Sequence, residues 1–390
     1  MLRVAFLAVN LLAAVAAPAF AQLAPLPPQP AGVAWPTQAW PEAPLPRDVD
    51  RATIDLALTE AFAGLHPQMG ETRAVLVAQG GQIVLERYGE GYGRDTRLVS
   101  WSMAKSITQG LVGAAVLQER LSIDAPMGSR HWRASDRRAA ISWRTWLTMT
   151  DGQDYTEIGA PSVMENDAAL MLFGAGNEDT ARWAAGLPLI HDPGTHWNYN
   201  SAGSVLIADA LTRVIVANAT DARDRRQRMR VWMDEALFNP IGMQPVVEFD
   251  PQGTFYGSSL VWATARDFAR FGYLYLRDGV WDGVRVLPEN WVDFARTRGP
   301  DPNADVYGAH WWLTPPEGTG RPMRATIADP GLSDSFSAQG HEGQLIVVVP
   351  SKDLVMVRLG LFPSDADGSW DALGDWSARL INAFGDRPQR

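Results

Sequence analysis

The chain has 390 residues, 46% of them hydrophobic and 20% charged, with no cysteine and a formal net charge of −10. That is the composition of a globular protein with ample material for a large core. The acidic balance excludes nucleic acid as the main partner, which would need a basic stripe. The absence of cysteine excludes disulfides and thiolate metal sites.

Residues 1–21 read as a secretory signal. Arg3 is the positive start, Val4 to Ala17 the apolar stretch, and Ala19-Phe20-Ala21 a small-x-small cleavage site. The stretch is short for a membrane span. The expectation is a secreted or periplasmic protein, cleaved after Ala21, with no stable membrane insertion. Residues 22–47 are rich in Pro and Ala and predict an extended linker, or an arm lying along the surface.

One domain then runs from 48 to about 387. A helix begins near Asp48, with Ile54, Leu58, Ala61, Phe62 and Leu65 on one stripe. Arg73 to Ala78 and Gln82 to Tyr88 are β-rich runs joined at Gly80-Gly81, a hairpin signal. A helix through Leu111, Ala114, Ala115 and Leu121 follows. From about 124 to 250 the pattern is helical and loop-rich, and the basic run Arg223 to Arg230 reads as a solvated helix face. Residues 258–297 read as helices broken by a turn at Gly279 to Gly283. Ser337 to Gln344, Leu345 to Val349 and Leu354 to Gly360 read as strands, with a turn at Pro350 to Asp353 that leaves Lys352 exposed. Trp370, Leu373, Trp376, Leu380, Ile381 and Phe384 form a last helical stripe. This order predicts an α+β fold: an antiparallel sheet flanked by the N- and C-terminal helices, with an all-helical lobe inserted over about 124–250. A cleft between the lobes is the natural site.

The chemistry centres on Ser102-Met-Ala-Lys105. A serine three residues before a lysine at a helix start places hydroxyl and amine on one face. A neutral amine there would take the hydroxyl proton. Lys105 and Lys352 are the only lysines; every other basic residue except histidine is Arg. Arg does not deprotonate at working pH, whereas a desolvated Lys does. Tyr199, in Trp197-Asn-Tyr-Asn-Ser201, is a candidate acid or base, since a neighbouring lysine cation would lower its phenol pKa. In Ala338-Gln-Gly-His-Glu-Gly343, glycines inside a strand run predict close approach of another group. Gly340, His341 and Gly343 are thus candidates for oxyanion or substrate binding, alongside the N–H of Ser102. The loop Leu147 to Gly152 predicts packing only. Trp101, Trp311 and Trp312 are candidates for an apolar cleft wall. Among the six histidines there is no His-Glu-x-x-His, and no Gly-x-Ser-x-Gly or Gly-x-x-x-x-Gly-Lys occurs. Neither a metal nor a cofactor is expected; the expected partner is a small-molecule ester or amide.

With these residues assembled, roughly Ala52 to Phe384 resembles the serine β-lactamase and penicillin-binding protein superfamily. It is most similar to the class C-like branch with family VIII esterases and 6-aminohexanoate-dimer hydrolases. The resemblance implies a β-lactamase/DD-peptidase-like fold, Ser102 as acylated nucleophile, Lys105 as its proton acceptor and Tyr199 as the tyrosine of Tyr-x-Asn. Ser201, a candidate for oxyanion or substrate binding, then stands where class C relatives have Asn, and Ala338-Gln339-Gly340 where relatives have Lys-Thr-Gly or His-Thr-Gly. The N–H of His341 is the implied second oxyanion donor. Losing that Lys and that Asn removes groups class C relatives use on β-lactams. No clear counterpart of the helical-lobe tyrosine of aminohexanoate hydrolases appears near Glu157 to Gly159. The expected function is an ester- or amide-cleaving serine hydrolase. The alternatives are a D-amino-acid peptidase or weak β-lactamase acting on cell-wall-type substrates, and a non-catalytic binding module on the same fold.

Overall fold

The computed structural model describes residues 23–301, 304, 306–315, 327–364 and 366–387. The expected signal over residues 1–21, with its cleavage point, lies outside the described residues. Helix α1 (Arg51–Phe62) starts where the Asp50 carboxylate accepts from Thr53 N at 3.1 Å, the side-chain cap that satisfies an orphan donor. Strands β1 (Glu71–Gln79) and β2 (Gln82–Tyr88) form the hairpin expected at Gly80-Gly81. Strand β3 (Leu98–Val99) leads into α2 (Met103–Leu117), the helix that opens after Ser102.

The helical lobe contributes α3 (Trp143–Leu147), α4 (Asp167–Phe173), α5 (Thr180–Gly186), α6 (Ser201–Ile215) and α7 (Ala222–Met233). The chain returns through β4 (Val246–Val247) and β5 (Val261–Ala263), which pair with each other and with β3. Residues 261–263, expected as helix, are therefore strand; the helix α8 (Ala265–Leu276) begins only after the Thr264–Asp267 capping box. Strands β6 (Val280–Trp281) and β7 (Val284–Arg285) make the turn predicted at Gly279 to Gly283, followed by α9 (Trp291–Ala295).

The last segment holds β8 (Trp312–Leu313), β9 (Phe336–Gly340), β10 (Gln344–Val349), β11 (Leu354–Leu361) and α10 (Ser369–Asn382). Among the described residues the main sheet is six-stranded and antiparallel, in the order β2-β1-β11-β10-β9-β8. Its faces alternate. Val75, Val77, Val347 and Met356 pack under α1 and α10, while Leu76, Ile346, Val348 and Val357 join the core shared with α2, α8 and the helical lobe. A sheet covered on both faces reads as continuous apolar runs, which is why its strands were legible. The Trp376 indole donates to Ala57 O at 2.9 Å and ties the two terminal helices together.

Two local expectations need correction. The run Ser337 to Gln344 is not one strand: a 3₁₀ turn at His341–Gly343, with Glu342 at φ 64°, divides β9 from β10. Lys352 is not exposed. Its turn forms as predicted, but the C-terminal segment folds over it, and Lys352 Nζ donates to Phe384 O at 2.8 Å and to Asp386 at 2.9 Å.

The Pro-rich segment runs against α8 and the β6–β7 turn. Trp40, buried, donates to Arg266 O at 3.0 Å; Arg270 donates to Pro36 O at 2.8 Å, Arg277 to Pro27 O at 3.0 Å, and Trp281 to Thr37 Oγ1 at 2.7 Å. Among the described residues no helix is long and apolar enough to cross a membrane.

Candidate active site

Ser100 fixes the entry to α2. Its N–H donates to Val261 O at 2.7 Å, and its hydroxyl donates to Ser259 O at 2.9 Å while accepting from Val261 N at 3.1 Å. This stitching to β5 forces a sharp turn, and Trp101 takes a left-handed φ of 43°. That conformation costs a non-glycine residue on the order of 1 kcal/mol and is concentrated at functional sites. Ser102 then stands at the start of α2 with helical φ/ψ, and its hydroxyl makes no cap bond. It meets Lys105 instead: Nζ lies 2.9 Å from Ser102 Oγ and 3.1 Å from Ser258 O.

Lys105 is 1% exposed. Burial holds its pKa down at about 8, against a smaller opposing pull from the Glu157 carboxylate. The ammonium form is the one that burial disfavours. The nitrogen also sits 4.8 Å from the ring centre of Tyr199. Tyr199 is buried, stacked on Trp312 with centroids 5.3 Å apart and edge-on to Tyr307. The structure thus brings Ser102, Lys105 and Tyr199 to one point.

Gly340 ends β9 directly against this point. A side chain there would collide with Ser100 O, so the close approach expected of the glycine run is real at this position. The His341 ring is exposed, 3.2 Å from the Glu342 carboxylate and edge-on to Trp101 at 5.4 Å. Two expected binding residues are placed differently. Ser201 is buried in the first turn of α6, and Gly343, at φ 75°, packs against Arg358 and Phe362. Neither lines the cleft, although Ser102, Tyr199, Gln339, Gly340 and His341 do. Of the three tryptophans, Trp101 and Trp312 line it, whereas Trp311 is stacked on Phe271 in the core.

Three contributors carry no motif. The His310 ring, fully buried, lies 3.0 Å by Nδ1 from Lys105 O and 3.3 Å by Nε2 from Ser204 Oγ. Burial pushes its pKa to about 3, so the ring is neutral, and a carbonyl acceptor assigns the proton to Nδ1. It joins α2 to α6. Asp151, in the loop expected only to pack, accepts from Gln153 N at 3.0 Å and from Asn200 Nδ2 at 3.1 Å. Asn200 in turn caps α6 by accepting from Gly203 N at 2.9 Å, which fixes the backbone beside Tyr199. Burial raises the Asp151 pKa to about 6. Glu157 lines the cleft and accepts from Tyr155 OH at 2.9 Å. Among the described residues no group of three or more metal-ligating side chains is assembled.

Residues 66–360 match the family model described as Beta-lactamase. The chain belongs to the Beta-lactamase family. Within reach of the same family, it is 24% identical over 345 residues to the 6-aminohexanoate-dimer hydrolase of Paenarthrobacter ureafaciens, covering 81% of this chain and 80% of that one. The fold is similar to that of a Bacillus anthracis protein described, provisionally, as a 6-aminohexanoate-dimer hydrolase. There the TM-score is 0.65 at 20% identity, over 93% of this chain and 90% of that one. A penicillin-binding protein homologue from Caulobacter crescentus is similar at TM-score 0.60 and 15% identity, over 87% of this chain and 99% of that one. The fold of the family is thus the one read from the order of elements.

Proposed function

We propose that the protein is a serine hydrolase that cleaves an ester or amide through an acyl-enzyme on Ser102. The observation that carries this reading is the 2.9 Å approach of Lys105 Nζ to Ser102 Oγ, made by an amine whose pKa is held near 8. At pH 7 roughly one such amine in ten is neutral, from the definition of a pKa. The neutral amine donates to Ser258 O and keeps its lone pair for the Ser102 proton. Oγ attacks the carbonyl carbon as that proton moves to Nζ. The oxyanion forms toward the N–H groups of Ser102 and His341, at the positive end of the α2 dipole. Tyr199, beside Lys105, passes the proton to the departing alcohol or amine as the tetrahedral intermediate collapses. Water then attacks the acyl-enzyme with the same groups acting in reverse, releasing the acid and free Ser102. The His341 ring, turned to Glu342, takes no part.

Ser102→Ala should abolish turnover of a p-nitrophenyl ester while leaving the thermal melt in place. Undiminished turnover in a folded variant refutes the assignment. The cell-wall alternative is met by nitrocefin turnover and covalent labelling with a fluorescent penicillin. Ala338, standing where relatives carry the Lys or His of Lys-Thr-Gly or His-Thr-Gly, bears against both.

A further inference from the structure

The Ser102 cleft has a volume of about 510 Å³, in the range of sites that enclose whole drug-sized ligands. Toward the helical lobe its wall is apolar, built by Ile158, Val163, Ala168, Ala169, Leu172 and Phe173. Of these, Leu172 is buried in the core of the lobe and Ala168 is half-buried against it. Val163 is 72% exposed and Phe173 61%, with Ile158 also open to water. Isolated apolar side chains on a surface need no explanation. These fall within one short stretch of chain and line one cavity, and an apolar group clustered at a cleft marks a binding surface.

The far side of the mouth continues the same character. Trp101 stands edge-on to Phe173 at 6.2 Å and to His341 at 5.4 Å. An aromatic bridge thus runs from α4 to the end of β9 beside Ser102. Trp312, stacked on Tyr199, and Trp370 add to the apolar lining, with Glu157, Asn166 and Asp371 among the polar members of the cleft. The seven residues of α4 span about 10 Å, a length of wall that a substrate no larger than an acetate ester would leave wet.

We propose that this wall is a subsite for an extended apolar group of the substrate, laid from Ser102 along α4. It rests on the hydrolase reading above and names its substrate class: esters or amides that carry a medium-length alkyl or comparable apolar chain. Each methylene withdrawn from water contributes a factor of about four in binding.

The test is kcat/KM across two series, p-nitrophenyl acetate, butyrate and octanoate, and butyl, hexyl and octyl acetate, so that the chain is varied on the acyl side and then on the alcohol side. The wild type should favour the longest member of one series over the shortest by about tenfold or more. Phe173→Ser and Val163→Ser should each lower that long-to-short ratio severalfold. Both side chains are exposed, and a thermal melt checks that the variants fold. A flat or falling dependence in both series, or a ratio unmoved in both variants, overturns the proposal while leaving the hydrolase reading intact. No turnover of any member, nor of hexanoyl p-nitroanilide as the amide counterpart, removes the hydrolase reading itself, and this subsite with it.

Discussion

At Lys105 the amine has exchanged water for one carbonyl and one hydroxyl, Ser258 O and Ser102 Oγ. Two consequences follow for pH. If the neutral amine is the active form, kcat/KM should rise with pH and level off above about 8; Glu157 and the rings of Tyr199 and Tyr307 face the same space. A profile already flat from pH 6 upward contradicts that role. The second consequence is for stability. The folded pKa lies below the unfolded value of about 10.4, so the native state binds fewer protons between the two. Stability therefore rises with pH from about 8 toward about 10.4, and the full cost of the buried ammonium is carried below 8. That cost is at most about 3 kcal/mol. Lys105→Met should be inactive, and urea midpoints should show its stability advantage over wild type shrinking as pH climbs through that window. An advantage independent of pH would mean the amine is not held neutral by its site. The other lysine shows what spacing leaves out. Ser-x-x-Lys signals a local geometry that a helix guarantees, whereas the burial of Lys352 depends on Phe384 and Asp386, more than thirty residues away. His310 was equally invisible, because its partners Lys105 and Ser204 are supplied by two other elements.

Among the elements, the Pro-rich arm is the one whose composition says least about its role. Low apolar periodicity reads as linker, yet Trp40 is buried among residues of the larger core and its indole reaches Arg266 O. The arm also supplies carbonyls to Arg270 and Arg277, and Arg277 pairs with Asp353 at 2.6 Å. Trp40→Ala should therefore destabilise the fold by about 3–5 kcal/mol, as for other buried tryptophans, measured by urea unfolding. A loss below 1 kcal/mol would show that the arm detaches freely. The sheet strands, by contrast, were legible because both faces are covered and the apolar runs are unbroken. The run Ser337 to Gln344, read as one strand, failed at Glu342. A left-handed residue that is not glycine leaves no mark in the sequence.

In the whole molecule, the two lobes and their cleft followed from the order of elements, since an antiparallel sheet with helices before and after it has few ways to bury both faces. The depth of the cleft did not follow. It depends on which side chains of residues 158–173 stay outside the lobe's own core, and that is settled by packing across α4, α5 and α6. The sheet also spans nearly the whole domain in sequence: β1 pairs along β11, with Glu71 opposite Leu361. Ser102, Lys105 and Tyr199 all lie before residue 200 of the chain. The wall that faces them, Gln339 to His341, hangs from strands that close the sheet only near its end. Contacts of such sequence separation form late and slowly. On the proposed function, a polypeptide halted at Ser335 would carry the Ser102 hydroxyl, the Lys105 amine and the Tyr199 phenol and still show neither ester turnover nor a cooperative melt. On that reading turnover waits for the strands made last, and its recovery after refolding should trail the return of helix signal.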